Sequence, residues 1–314
     1  MRRILPILLC LLLLTSCAAP QEVSDDGKMS VVCTLFPYYD FARQIALDRA
    51  DVTLLLSPGR EAHSFEPTPH DALTIANADV FVYNGGEGET WVEDLLDAAG
   101  ENIGAITCMM DFVDAHEEEI VEGMQVREEH EHDEDSDEIE YDEHIWTSPE
   151  NAVVLCRAVC EAMCSQDAAN ADFYRANCED YCAQLTALDE QFCALRSEAK
   201  RDLLVFADRF PMLYFCSHYD LRYRAAFHGC STDTEPSLAT LKYLIDKVNE
   251  EHIPVVCTID LSSQKIAEAV SESTGAEIVK FWSLQTVSRA DFDAGETYIS
   301  LMTRNLDALR KGLL

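Results

Sequence analysis

"VTLLLSPGREAHSFEPTPHDALTIANADVFVY", residues 52–83, contains the unit that decides the architecture. Val52–Leu56 is an apolar run of strand length, and Pro58 and Gly59 break it. From near His70 the apolar residues follow a helical spacing, and Val80–Tyr83 is again strand-like. A strand, a helix and a second strand in so short a span make a βαβ unit, whose strands must run parallel.

The same alternation extends in both directions. Strand-like runs at Val31–Leu35, Val52–Leu56, Val80–Tyr83 and Ala105–Cys108 are separated by helical patterns beginning near Tyr38, His70 and Trp91. A second set lies at Leu203–Phe206, Tyr223–Phe227, Val255–Ile259 and Glu277–Phe281, with helical stretches at Phe210–Ser217, Ser237–Asn249 and Ser263–Thr274. Between the sets, Pro149–Cys164 and Ala168–Lys200 read as helices, the second roughly 45 Å long at 1.5 Å per residue. A final helix spans Ala294–Lys311, with Gly312 expected to stop it. The fold class is therefore α/β: two βα lobes with four-stranded parallel sheets, joined by a long rigid backbone helix. The expected division is a signal at 1–16, a tether at 17–29, an N-terminal lobe at 30–147, linking helices at 148–200 and a C-terminal lobe at 201–314.

The first residues are targeting rather than fold. Arg2 and Arg3 precede the apolar run Ile4–Leu14, which is too short to span a bilayer stably. "LTSC", Leu14 to Cys17, resembles a bacterial lipobox, which makes Cys17 the expected lipidated residue and places the chain outside the cytoplasm, anchored to the membrane by lipid. The net charge of −35 becomes two units more negative when Arg2 and Arg3 leave. Such a chain repels nucleic acid and anionic membrane alike, so a lipid anchor suits it better than a basic patch.

Of thirteen cysteines, Cys10 and Cys17 lie in the signal and at the cut. Cys156, Cys160 and Cys164 recur at helical spacing, as do Cys178 and Cys182. Small core residues, a thiolate metal cluster and interhelical disulfides are all compatible with that pattern. From Asp111 to Glu143, seventeen acidic residues accompany one arginine and His116, His130 and His132. The centre of this segment has too little apolar content to hold itself in place. It reads as a solvated loop, as a loose metal trap of imidazoles and carboxylates, or as both.

Open α/β sheets bind ligands outside the carboxyl ends of their strands. His63 lies on the loop leaving Val52–Leu56, flanked by Pro67 and Pro69, which stiffen the backbone. His144, in "DEHIWTSP", stands between the acidic segment and the first linking helix. "TLFPYYDFARQI", "PGREAHSFEPTP", "ADVFVYNGGEGETWVEDLL", "DEHIWTSPENA" and "TEPSLATL" occur in an order that resembles the solute-binding lipoproteins of zinc/manganese ABC importers. The resemblance implies one divalent metal (Zn²⁺ or Mn²⁺) carried in the cleft between the lobes, with His63 and His144 as its N-lobe ligands. It also implies delivery to an ABC permease with its ATPase, by a protein expected to be monomeric.

The C-lobe departs from the family pattern. Ala207 stands where a histidine or glutamate is usual, and Asp208 follows it as the candidate oxygen ligand. Leu284 and Gln285 occupy the place of a frequent aspartate ligand, so His228, Cys230 and Asp260 are further candidates. Two imidazoles and a carboxylate suit Zn²⁺ and are tolerable for Mn²⁺. An enzyme is not expected: no HExxH or G-x-S-x-G motif accompanies these residues, although a His₂–carboxylate zinc could in principle hydrolyse a substrate. A surface adhesin and a zinc buffer are the competing functions.

Overall fold

The computed structural model describes residues 27–60, 64–99, 103–125, 140–229, 231 and 235–314. The signal, Cys17, His63, Cys230 and the centre of the acidic segment, with His130 and His132, lie outside the described residues.

The first sheet is built from β1 (Met29–Cys33), β2 (Ala50–Leu54), β3 (Val80–Tyr83) and β4 (Ala105–Cys108), in the order β2-β1-β3-β4. Helices α1 (Phe36–Ala46), α2 (Pro69–Ala76) and α3 (Trp91–Ala99) connect its strands. After α4 (Pro149–Gln166) and α5 (Ala171–Glu198), the second sheet repeats the same wiring as β6-β5-β7-β8. Its strands are β5 (Leu203–Phe206), β6 (Arg222–Ala225), β7 (Val255–Ile259) and β8 (Glu277–Phe281). Helices α6 (Leu213–His218), α7 (Leu238–Glu250) and α8 (Lys265–Thr274) join them, and α9 (Arg289–Asp293) and α10 (Tyr298–Leu313) end the chain. Among the described residues, every pairing within the two sheets is parallel. Strands of a parallel sheet are buried on both faces by the connecting helices, which is why β3 and β5 read as unbroken apolar runs.

Several boundaries differ from the sequence reading for identifiable reasons. β2 starts at Ala50 because it pairs in register with Met29 of β1. Beyond it, the amides of Leu55 and Leu56 still donate to the carbonyls of Cys33 and Thr34 at 2.8 and 3.3 Å. β6 ends at Ala225 because the amides of Ala226 and Phe227 turn to the carbonyl of Asp208. α5 begins after Asp167, whose carboxylate accepts from Asn170 and from the Tyr174 hydroxyl. Gly312 does not stop the last helix but lies inside it. A Cβ there would stand 3.1 Å from Val255 Cγ2, so the glycine lets α10 approach β7 and β5.

One continuous apolar core runs from Val31 and Val82 in the first lobe, through Leu155, Val159, Leu185 and Phe192 of the linking helices, to Phe206 and Phe281 in the second. Smaller clusters under α7–α8 and α2–α3 fill the outer faces. A buried polar knot reinforces the junction. Asp40 of α1 accepts from Arg43 Nε, from the Tyr181 hydroxyl of α5 and from the Tyr298 amide at the start of α10, each at 2.7 Å.

The flanks of the acidic segment are fixed, contrary to the expectation for the segment as a whole. Residues 116–125 cross from the first lobe onto the second. Tyr223 and Tyr243 donate to Glu119 and Glu122, both at 3.0 Å, and the Gln125 amide donates to Ala226 O at 3.0 Å. Gly123, at φ +87°, lies so close to Tyr243 that a Cβ would stand 2.0 Å from its ring. Hydroxyls and backbone groups supplied by the C-lobe take the place of the apolar content that the segment lacks.

Glu89, at the N-terminal end of α3, is a buried carboxylate in the first lobe. Burial pushes its pKa up to about 7, although the amides of Asn84 and Gly85 donate to it at 2.6 and 3.1 Å. The folded protein therefore holds a proton there that the unfolded chain releases above about 4.5. This contribution to stability falls as pH rises from about 4.5 to about 7. Glu89→Gln keeps the acceptor and removes the titration. It is expected to gain about 3 kcal/mol relative to wild type between pH 4.5 and pH 8, read from urea unfolding at the two pH values. An unchanged difference between the two proteins would refute this.

Candidate metal centre

The proline–threonine–proline phrase turns out to be helix-start chemistry. Thr68 is the N-cap of α2: its hydroxyl accepts from the Asp71 amide, the Asp71 carboxylate accepts from the Thr68 amide, and Pro69 takes the first-turn position. The loop before it is held at both ends. The Gly59 amide donates to Thr286 Oγ1 of the C-lobe at 3.3 Å. Phe65 packs edge-on against Trp91 with ring centroids 4.8 Å apart, and Arg60 lies over the Phe65 ring. The three residues ending at His63 thus connect two anchored points, one of them on the rim of the interlobe cleft.

His144 is fully buried just before a single 3₁₀ turn, Ile145–Thr147. Asp142 Oδ1 accepts from the His144 amide at 2.8 Å and lies 3.2 Å from its Nδ1. Burial alone would depress the imidazole pKa, but Asp142, Glu143 and Glu118 together raise it above its ordinary value. Trp146 fixes the ring's place from behind: its edge meets His144, its Nε1 donates to Ser283 O of the C-lobe at 2.7 Å, and its carbonyl accepts from the Tyr298 hydroxyl at 2.7 Å.

His144 faces a cavity of about 10 Å³ lined by Arg209, Pro211, Gly229, Ile259, Asp260, Ser283 and Gln285. That is about one water-sized sphere. Every strand of the second sheet sends the loop at its carboxyl end to this cavity, the placement expected of an open parallel sheet. A Cβ on Gly229 would stand 3.0 Å from His144 Cε1, so only glycine lets the β6 loop come this close. Two leucines in the loops, Leu261 and Leu284, have φ of +60° and +63°. Left-handed backbone at such residues costs on the order of 1–3 kcal/mol and clusters at functional sites. Nothing in the sequence pattern announces it.

The C-lobe candidates separate. Asp260 lines the cavity, accepts from the Ser283 amide at 2.7 Å, and is pushed up by burial to about 6. Asp208 is buried behind it, where Oδ1 accepts from the Arg209 amide and Oδ2 from Thr258 Oγ1 and the Ile259 amide. Those bonds tie the loop after β5 to β7. His228 turns the other way, into a chamber of about 210 Å³ shared with Glu87, Glu118, Glu140 and Glu143, and its Nδ1 lies 3.0 Å from Glu118 Oε2. The pairs 143–144 and 228–229 each place one residue in the chamber and the next in the cleft. Sequence reasoning missed Asp142, whose position two residues before His144 was the available signal. It also missed Arg209 as part of the cavity wall.

Comparisons with known proteins fit this geometry. Residues 31–312 match the family described as zinc-uptake complex component A, periplasmic. The zinc-binding lipoprotein AdcA of Streptococcus pneumoniae serotype 4 is 32% identical over 304 residues, covering 96% of this chain but 59% of that protein. The chain therefore spans about three-fifths of the length of that relative. The high-affinity zinc uptake system protein ZnuA of Bacillus subtilis is 32% identical over 313 residues, covering 97% of this chain and 95% of that one. The crystal structure of the Zn(II)-bound ZnuA-like domain of Streptococcus pneumoniae AdcA superposes with a TM-score of 0.74 at 28% identity, covering 91% of this chain and 99% of that one.

Proposed function

The chain belongs to the periplasmic zinc-uptake component A family, a family of solute-binding components and not of enzymes, and from that membership we propose that it captures Zn²⁺ between its lobes and hands the ion to an ABC permease. The observation that carries the proposal is the convergence of His144 and Asp260, from opposite lobes, on a cavity with room for a single ion. The family resemblance adds His63 as a further ligand, and Asp208 supports the site through the bonds it makes to the β7 end. With Asp142 on Nδ1, the nitrogen that ligates is Nε2 of His144. Imidazole and carboxylate donors suit zinc better than manganese, which favours oxygen. Cys17 anchors the protein by lipid outside the cytoplasm, where a monomer hands the cargo to the permease, whose ATPase powers import from the other side.

Competitive titration with Zn²⁺ and Mn²⁺ tests this reading. One tight site preferring Zn²⁺ is expected, and it should survive replacement of residues 126–139 by a glycine–serine run of equal length. Asp142→Asn should weaken that site by about 10- to 100-fold, the usual cost of losing an outer-shell carboxylate. Loss of the tight site on loop replacement, with no effect of Asp142→Asn, would assign the metal to the acidic segment and make the protein a buffer.

A further inference from the structure

Far from the cleft, α4 and α5 pack against each other through cysteines. Cys156 and Cys160 lie one turn apart on α4, and Cys178 and Cys182 one turn apart on the facing side of α5, all four at most 2% exposed. The Sγ atoms of Cys156, Cys178 and Cys182 lie within 4.8 Å of one another, and those of Cys178 and Cys182 are 3.9 Å apart. Cys178 and Cys182 reach across the seam, donating to the backbone carbonyls of Cys156 and Val153, each at 3.8 Å.

We propose that these four cysteines form a second, closed metal site that holds one structural Zn²⁺ between the linking helices. Zinc bound to four thiolates at 2.3 Å requires sulfur–sulfur edges of about 3.8 Å. The Cys178–Cys182 edge already matches, and the triangle with Cys156 needs only small rotamer adjustments to close. Cys160 lies outside that triangle, with its Sγ 3.9 Å from Cys164 Sγ one turn further along α4, and turns in from there to supply the fourth corner. A pair one turn apart on each of two packed helices is a two-by-two arrangement suited to a tetrahedron. Sulfurs this close leave no space for the inorganic sulfides of an iron–sulfur cluster, so the cargo is a single ion. Binding is balanced by proton release: each coordinating thiol gives up its proton to solvent as its sulfur bonds the metal, four protons for four ligands. With no open coordination position and no exposure, the site stiffens the strut and keeps its thiols from oxidation.

The test uses the full mature chain carrying His63→Ala and His144→Ala, so that the cleft site does not contribute. Prepared under reducing conditions and loaded with Co²⁺, it should show intense near-ultraviolet thiolate-to-cobalt absorption with tetrahedral visible bands, and about one metal per chain. Zn²⁺ should displace the cobalt and erase the spectrum. Cys178→Ala with Cys182→Ala should reduce the metal content from one to none, while Cys216→Ala, buried elsewhere in the C-lobe, should leave it unchanged. Absence of the spectrum in the parent protein, with all thiols titrating as reduced after denaturation, would overturn the proposal and leave small core residues. Masses lower by one or two disulfides in the isolated protein, with no metal, would overturn it in favour of a covalent staple. Either result is read without the double variant, whose folding therefore does not limit the test.

Discussion

His144→Ala lowers Zn²⁺ affinity by at least about 100-fold, the scale on which even outer-shell losses begin, while the thermal transition of the metal-free protein shifts little. The imidazole supplies a donor nitrogen held in place by Asp142 and Trp146, and alanine supplies nothing. Its packing neighbours Trp146 and Gly229 keep their own anchors at Ser283 and on the β6 loop. The pH profile separates ligation from a general change in shape. A metal-ligating imidazole must be neutral, and the surrounding carboxylates raise the His144 pKa above its ordinary 6.5. Proton competition therefore begins above pH 6.5 and strengthens as pH falls. The apparent affinity of wild type should decline steadily over this range, and that of His144→Ala should decline less. Equal slopes in a metal-competition assay, or unchanged affinity, would remove His144 from the site.

Asp40→Ala should destabilise the whole molecule by about 3–5 kcal/mol, the cost of breaking a buried ionic network on one side. One carboxylate joins α1, α5 and α10 through three bonds of 2.7 Å, two of them from groups distant in sequence. Alanine leaves the buried Tyr181 hydroxyl and Tyr298 amide without their acceptor, while Arg43, partly exposed, keeps its bond to the Glu296 carbonyl. Asp40→Asn, which keeps an acceptor but loses the charge, should cost less than alanine. Urea unfolding with unchanged slope and a shifted midpoint is the expected readout. A shift below about 1 kcal/mol would show that the knot is redundant.

The architecture was legible because its signal is repetitive. Eight apolar runs at regular intervals, separated by helical spacing, leave little room for anything but two parallel sheets. Where the reading slipped, a local pattern was outweighed by a partner. Ala50 is too weakly apolar to begin a strand by sequence, yet register with Met29 makes it one. Gly312 looked like a helix stop and is instead a point of close approach. The N-lobe half of the candidate site carries compact phrases around His63 and His144. The C-lobe half is assembled from four loops far apart in sequence, so neither the burial of Asp208 behind β7 nor the exposure of Asp260 to the cavity could be read from the residues around them. The cysteines stand between these cases: their helical spacing was visible, but only the packing of α4 on α5 shows that the two rows face each other.

The clasp at Trp146 has a consequence for timing. Its indole holds the loop after β8, its carbonyl is held by α10, and its main chain lies two residues from His144. If His144 is the ligand we propose, separating the lobes at this point would strain the same short segment that presents the imidazole, so that departure of the C-lobe loop and loosening of the ligand would be one event. An ion enclosed in so small a space can thus have a long residence time in isolation and a short one when a docking partner pulls on the β8 side. Loading and unloading then differ in their rates without any change in the donor atoms.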